Sequence, residues 1–130
     1  MQFQTHAQAE IPVVMSQRFG SISATRAQLQ HAFGVPMPHQ HDDYVTTEWR
    51  IVFADGTIAS IYDFRHPTGK PMPDEVLSWS VGGYSRQAVE RVHQAFREAN
   101  AQRIDEALRI RAQRLKEKSR NPRMFGQFAE

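Results

Sequence analysis

The cleanest alternation of apolar and polar positions runs from Tyr44 to Ala54. Val45, Thr47, Trp49, Ile51 and Phe53 fall on one side and Thr46, Glu48 and Arg50 on the other, the period of two expected of a half-buried strand. A second strand is predicted over Thr57 to Phe64, where Ile58, Ser60, Tyr62 and Phe64 oppose Thr57, Ala59, Ile61 and Asp63. A third, from Val76 to Gly83, alternates Leu77, Trp79 and Val81 with serines. Asp55-Gly56 between the first two runs signals a hairpin and predicts a type I′ turn, with φ > 0 at both central residues. The segment from Arg65 to Glu75 holds Pro67, Gly69, Pro71 and Pro73 and is too long for a tight hairpin. Trp49 and Trp79 are then core aromatics of a sheet–helix interface, each bringing roughly 150–250 Å² to bury.

A period near 3.6 replaces the alternation on either side of this block. Ser23 to Phe33 reads as a helix with a Thr25/Gln28 capping box, stopped by Gly34 and Pro36; Ile22, Leu29, Ala32 and Phe33 should face the sheet. From Ser85, a good N-cap, a helical pattern runs for roughly 34 residues, which would span roughly 50 Å if unbroken. Its first stripe is Val89, Val92, Phe96 and Ala99; its second is Ile104, Leu108, Ala112 and Leu115. The register breaks at Asn100, which leaves two readings: two helices with a joint, or one helix with a stutter. Residues 1–10 are polar and expected to fray, and Ile11 to Met15 is a candidate edge strand. The expected fold is α+β: a small antiparallel sheet of three or four strands packed on helices, with a long C-terminal helix. Residues 1–99 form the α+β core domain and residues 100–130 a basic C-terminal helical extension of it.

Composition narrows the class. The 130 residues are 40% hydrophobic and 23% charged, as in ordinary globular domains. The sequence shows neither an 18-residue apolar run nor a secretory pattern, and cysteine is absent. Thiol catalysis and Cys-ligated zinc are excluded, and a cytoplasmic protein is expected. The net charge of +2 is unevenly spread: residues 1–90 hold 6 Lys/Arg against 9 Asp/Glu, and residues 91–130 hold 10 against 5. The basic half suits an anionic partner, although its cations are interspersed with acids as on a solvated helix face.

Candidate chemistry is sparse. His39, His41, Asp42 and Asp43, with Asp63 and His66, are ligand types for a divalent ion, but their spacing matches no established metal motif. The same residues serve equally well as a solvated loop that turns the chain into the first strand. Gly82, Gly83 and Ser85 precede a helix N-terminus, where free N–H groups accept anions; tight backbone geometry explains them as well. No nucleophile elbow or phosphate loop is present, so the chain is read as a non-enzyme without cofactor. Arg103, Arg109, Arg111, Arg114, Lys116 and Lys118, with Arg120 and Arg123, line the long helix, and Leu108 and Leu115 belong to its unpartnered stripe. These residues are the candidate partner-binding set.

Phe33-Gly34-x-Pro36, Asp42-Asp43-Tyr44, Glu48-Trp49, Phe53, Asp55-Gly56-Thr57, Ile61-Tyr62-Asp63 and Trp79-x-Val81-Gly82-Gly83 resemble, in that order, a pattern in small proteins encoded by bacteriophages and prophages. The resemblance covers about half the chain and implies a phage or mobile-element accessory protein in the host cytoplasm. It transfers no catalytic residue. The function expected is binding and inhibition of a host or defence protein, with a homodimer through the long helix as a further expectation. Two alternatives stand beside it: a nucleic-acid-binding accessory protein using the basic helix, and a metal-dependent hydrolase using the His/Asp loop.

Overall fold

The computed structural model describes residues 1–38, 44–64 and 71–120. The elements in chain order are β1 (Phe3–Thr5), β2 (Gln17–Thr25), α1 (Arg26–Phe33), β3 (Met37–Pro38), β4 (Thr47–Phe53), β5 (Ile58–Tyr62), β6 (Val76–Gly83) and α2 (Gln87–Arg120). Every pairing is antiparallel, in the order β1-β4-β5-β6-β2, with β3 also pairing β4. The α+β class holds, but among the described residues the sheet has six strands rather than three or four. β1 lies in the polar N-terminus expected to fray, where Phe3 and Thr5 pair with Phe53 and Ile51. β2 escaped detection because its register shifts between Arg18 and Gly20, which interrupts any alternation. The apolar run 11–15, predicted as an edge strand, is a turn instead: Ser16 N–H donates to Val13 O at 3.1 Å, and Met15 takes φ 63°.

Two local predictions need amendment, and one of two open readings is decided. α1 starts at Arg26, not Ser23, because Ser23, Ala24 and Thr25 stay paired with β6. The capping box at Thr25 and Gln28 is present, and Gly34, at φ 86°, closes the helix. The Asp55-Gly56 hairpin is not type I′, since Gly56 has positive φ (88°) and Asp55 does not. Gly56 N–H donates to Phe53 O and Phe53 N–H to Thr57 O, both at 2.9 Å. That is the three-residue loop in which a turn is followed by a left-handed residue. Finally, α2 is one helix through Asn100, so the break in its apolar stripe does not end it.

The chain divides into two compact units, Met1–Ala99 and Asn100–Glu130. In the first, Trp49, Ile51, Phe53, Ala59, Ile61, Trp79, Val81, Ile22 and Ala24 share one face of the sheet and pack with Leu29 and Phe33 of α1 and Ala88, Val92 and Ala95 of α2. The buried stripe of α2 is thus rotated towards alanines, with Val89 and Phe96 only partly buried. Close approach explains the rotation. A Cβ on Gly83 would lie 2.7 Å from both the Ala88 Cβ and the Ile58 carbonyl oxygen, and one on Gly20 would lie 3.0 Å from a Val89 methyl. Helix and sheet come closest where a glycine of the sheet faces Ala88 or Val89 of the helix.

Candidate functional site

Asp63, a candidate metal ligand by sequence, is committed to the fold. It is 3% exposed, and its carboxylate accepts from Thr46 N–H at 2.9 Å, Thr47 N–H at 2.8 Å and the Thr46 hydroxyl. A buried carboxylate needs such donors, and these hold the end of β5 against the start of β4. His39, His41, Asp42, Asp43 and His66, the other members of that set, lie outside the described residues, as does Arg123. Among the described residues no three His, Asp or Glu side chains gather as a metal site would require.

Gly82 and Gly83 both lie in β6, paired with Ser60 and Ala59. A Cβ on Gly82 would meet Ser60 Oγ at 2.8 Å, so contact on both faces of β6 accounts for the pair. Ser85 Oγ accepts from Gln87 N–H at 3.3 Å, the geometry of an N-cap serine. One of the donors that an anion would use is therefore already satisfied.

The hairpin tip is tied to α2 by a single carboxylate. Asp55 accepts from Thr57 N–H at 3.0 Å, Gln87 Nε2 at 3.1 Å and Arg91 Nε at 2.9 Å. The Thr57 backbone N–H, then its hydroxyl, then Arg91 hold its pKa down at about 2. A depressed carboxylate contributes stability that is complete above its ordinary value and is lost as pH falls through the folded value. Asp55→Asn should therefore be less stable than the parent at pH 5. Thermal melts recorded from pH 5 to pH 2 should show that difference closing, most of it between pH 4 and 2. A gap that stays constant down to pH 2 would refute the assignment.

The helix-free face of the sheet carries a cluster that sequence reading missed. One ladder row runs Arg50–Ser60–Gly82–Arg18 across β4, β5, β6 and β2, and the next runs Glu48–Tyr62–Ser80–Ser21. Arg18 Nε donates to Ser80 Oγ at 3.2 Å and Arg50 Nε to Glu48 Oε2 at 2.5 Å. Tyr62 lies over Gly82, where an added Cβ would sit 3.5 Å from its ring. Beyond Tyr62, Phe64 is exposed and its ring centroid is 6.1 Å from that of Tyr44. Arg18, Tyr62, Phe64, Ser78 and Ser80 line a shallow groove of about 530 Å³. The available signal was the alternation itself, which puts Ser78 and Ser80 opposite Trp79 and Tyr62 opposite Ile61; only pairing with β2 adds Arg18.

The second unit presents the candidate partner-binding set. Arg103, Arg109, Arg111, Arg114 and Lys116 are exposed, and Leu108 and Leu115 are each 58% exposed. Seven residues apart, the two leucines lie on one side of α2. Of Lys118 and Ile104 only the backbone is described. No described helix is long and apolar enough to cross a membrane. Comparisons with protein-family models, curated proteins and solved structures found no match.

Proposed function

We propose that the chain is a non-enzymatic binding protein of phage or mobile-element type, which inhibits a host or defence protein by docking the second half of α2 on it. The observation that carries this reading is the exposure of Leu108 and Leu115 among Arg103, Arg109, Arg111, Arg114 and Lys116. Helices gain most of their stability from tertiary packing of an apolar face. Burying two leucines offers roughly 1.5–3 kcal/mol each. The surrounding cations favour a groove rimmed by carboxylates and speed the encounter. Asp63, the buried carboxylate that a hydrolase would call on, is already occupied by backbone donors.

Leu108→Glu combined with Leu115→Glu should abolish capture of the host protein by the tagged chain, with at least a tenfold loss of affinity for the purified partner. The thermal midpoint should hold within about 1–2 °C, because surface substitutions usually cost under about 0.5 kcal/mol. Mass measurement separates the partners: a homodimer through α2 would fall to monomer in the same variant. Undiminished capture by the double variant would refute docking through α2. The nucleic-acid alternative draws on the same exposed arginines and requires binding that weakens steeply with salt.

A further inference from the structure

We infer that the helix-free face of the sheet is a binding surface for single-stranded nucleic acid, with bases stacked on Tyr62 and Phe64 and a phosphate held by Arg18. This site uses no residue of α2 and does not depend on what α2 binds. Three features of the face point to this ligand. The first is its aromatic track: Tyr62 lies over the Gly82 floor, and Phe64, exposed and beside Tyr44, continues it. Bases stack on such rings with little regard to sequence, because every base has a π-face.

The second is charge. Arg18 is exposed, and its hydrogen bond goes to a neutral hydroxyl, Ser80 Oγ. Glu48 is the carboxylate among the paired positions of β2, β4, β5 and β6 on this face, and Arg50 neutralises it. The surface near the track is therefore cationic, although the first 90 residues as a whole carry more acids than bases. Arg18 and Arg50 stand at the two ends of one ladder row, three strand spacings or about 14 Å apart. With Arg50 paired to Glu48, it is Arg18 that this row offers to a phosphate.

The third is shape. Ser60, Gly82 and Ser80 make a low, buried floor under Tyr62 and Arg18, so a base would stack on the outer side of the Tyr62 ring rather than enter the floor. A duplex keeps its bases stacked inside and offers no π-face to this track. An acidic peptide would use Arg18 but leave the aromatic track without a role, which is why the observations favour nucleic acid.

Fluorescence anisotropy of labelled single-stranded DNA and RNA 12-mers, titrated with the full chain, tests this. Both strands should bind, and the matched duplex should compete poorly. Arg18→Ala and Tyr62→Ala should each weaken binding about tenfold, within the range for losing one stacked base or one charged contact. Tyr62→Phe should restore most of the affinity. Arg18→Ala should also lower the slope of log affinity against log salt by about 0.7, the value for one phosphate contact on a single strand. Arg109→Glu with Arg114→Glu on α2 separates this site from the α2 alternative, because in that background Arg18→Ala and Tyr62→Ala should each still weaken binding about tenfold. Absence of binding would overturn the inference, as would binding indifferent to Arg18→Ala and Tyr62→Ala, or binding abolished only by the α2 substitutions. Arg18 is exposed, so its variant remains informative even if Tyr62→Ala loosens the sheet.

Discussion

Trp79→Ala should cost about 4 kcal/mol of folding stability, the largest effect expected of a single side-chain truncation in this chain. Trp79 is fully buried and meets Trp49 edge-to-face, with ring centroids 5.6 Å apart and an interplanar angle of 70°. Its indole N–H donates at 2.9 Å to the carbonyl oxygen of Ala24, the penultimate residue of β2 before α1. Truncation removes the transfer free energy of the ring and leaves a cavity, together about 3–5 kcal/mol for a large aromatic. It also strands the buried Ala24 carbonyl, a further penalty of about 1 kcal/mol or more. In a core of this size that shifts the thermal midpoint by roughly 15–30 °C. Urea unfolding followed by far-ultraviolet circular dichroism would measure the loss. Trp79→Phe keeps most of the volume and drops the N–H, so its smaller cost isolates the hydrogen bond. A loss under 1 kcal/mol for Trp79→Ala would mean that this ring does not hold β2 and β6 together.

Gly83→Val should be nearly as damaging, for the opposite reason. Here bulk is added where helix and sheet are in contact. The new Cβ would sit 2.7 Å from the Ala88 Cβ and 2.7 Å from the Ile58 carbonyl oxygen. The second contact is with the backbone of β5, and no rotamer relieves it. Overpacking costs about 1–3 kcal/mol where side chains can yield, and more where they cannot. About 3 kcal/mol or more is expected here, read as a lower urea midpoint at unchanged slope. Gly56→Ala, at φ 88° with open space around it, should cost only about 1 kcal/mol, through backbone strain alone. The comparison separates crowding from conformation. Equal costs at the two positions would show that α2 does not approach β6 as closely as 2.7 Å implies.

Parts of this fold were legible before any coordinates. Val45, Thr47, Trp49, Ile51 and Phe53 all proved buried, because side-chain direction in a strand is set by a period of two that neighbours in sequence share. The capping box at Thr25 and the stop at Gly34 are likewise local chemistry. β2 was not legible. Its residues, QRFGSISAT, have weak strand character, and its eight paired positions are all supplied by β6, about sixty residues later. The contact of α2 was missed for a related reason: Val89 and Phe96 were expected inward, yet they are only partly buried, and it is Ala88 that meets Gly83 while Val89 packs on Gly20.

The candidate sites divide the same way. The exposed basic helix with Leu108 and Leu115 could be listed from sequence, since a stripe and its charged flanks lie within a few turns. Asp63 looked like a ligand because carboxylates near histidines have that chemistry. Only the donors from Thr46 and Thr47, seventeen and sixteen residues away, reveal a strand anchor. Arg18 and Tyr62 were never candidates together, since 44 residues and two strand crossings separate them in the chain. By itself the sequence determined the three central strands, the hairpin position and the helix caps, which depend on short-range backbone preference and hydrophobic period, and the charge asymmetry, which is composition alone. The tertiary structure alone decided the edge strands, the approach of helix to sheet and the arginine–tyrosine face, because these arise from steric fit and hydrogen bonding between segments far apart in the chain.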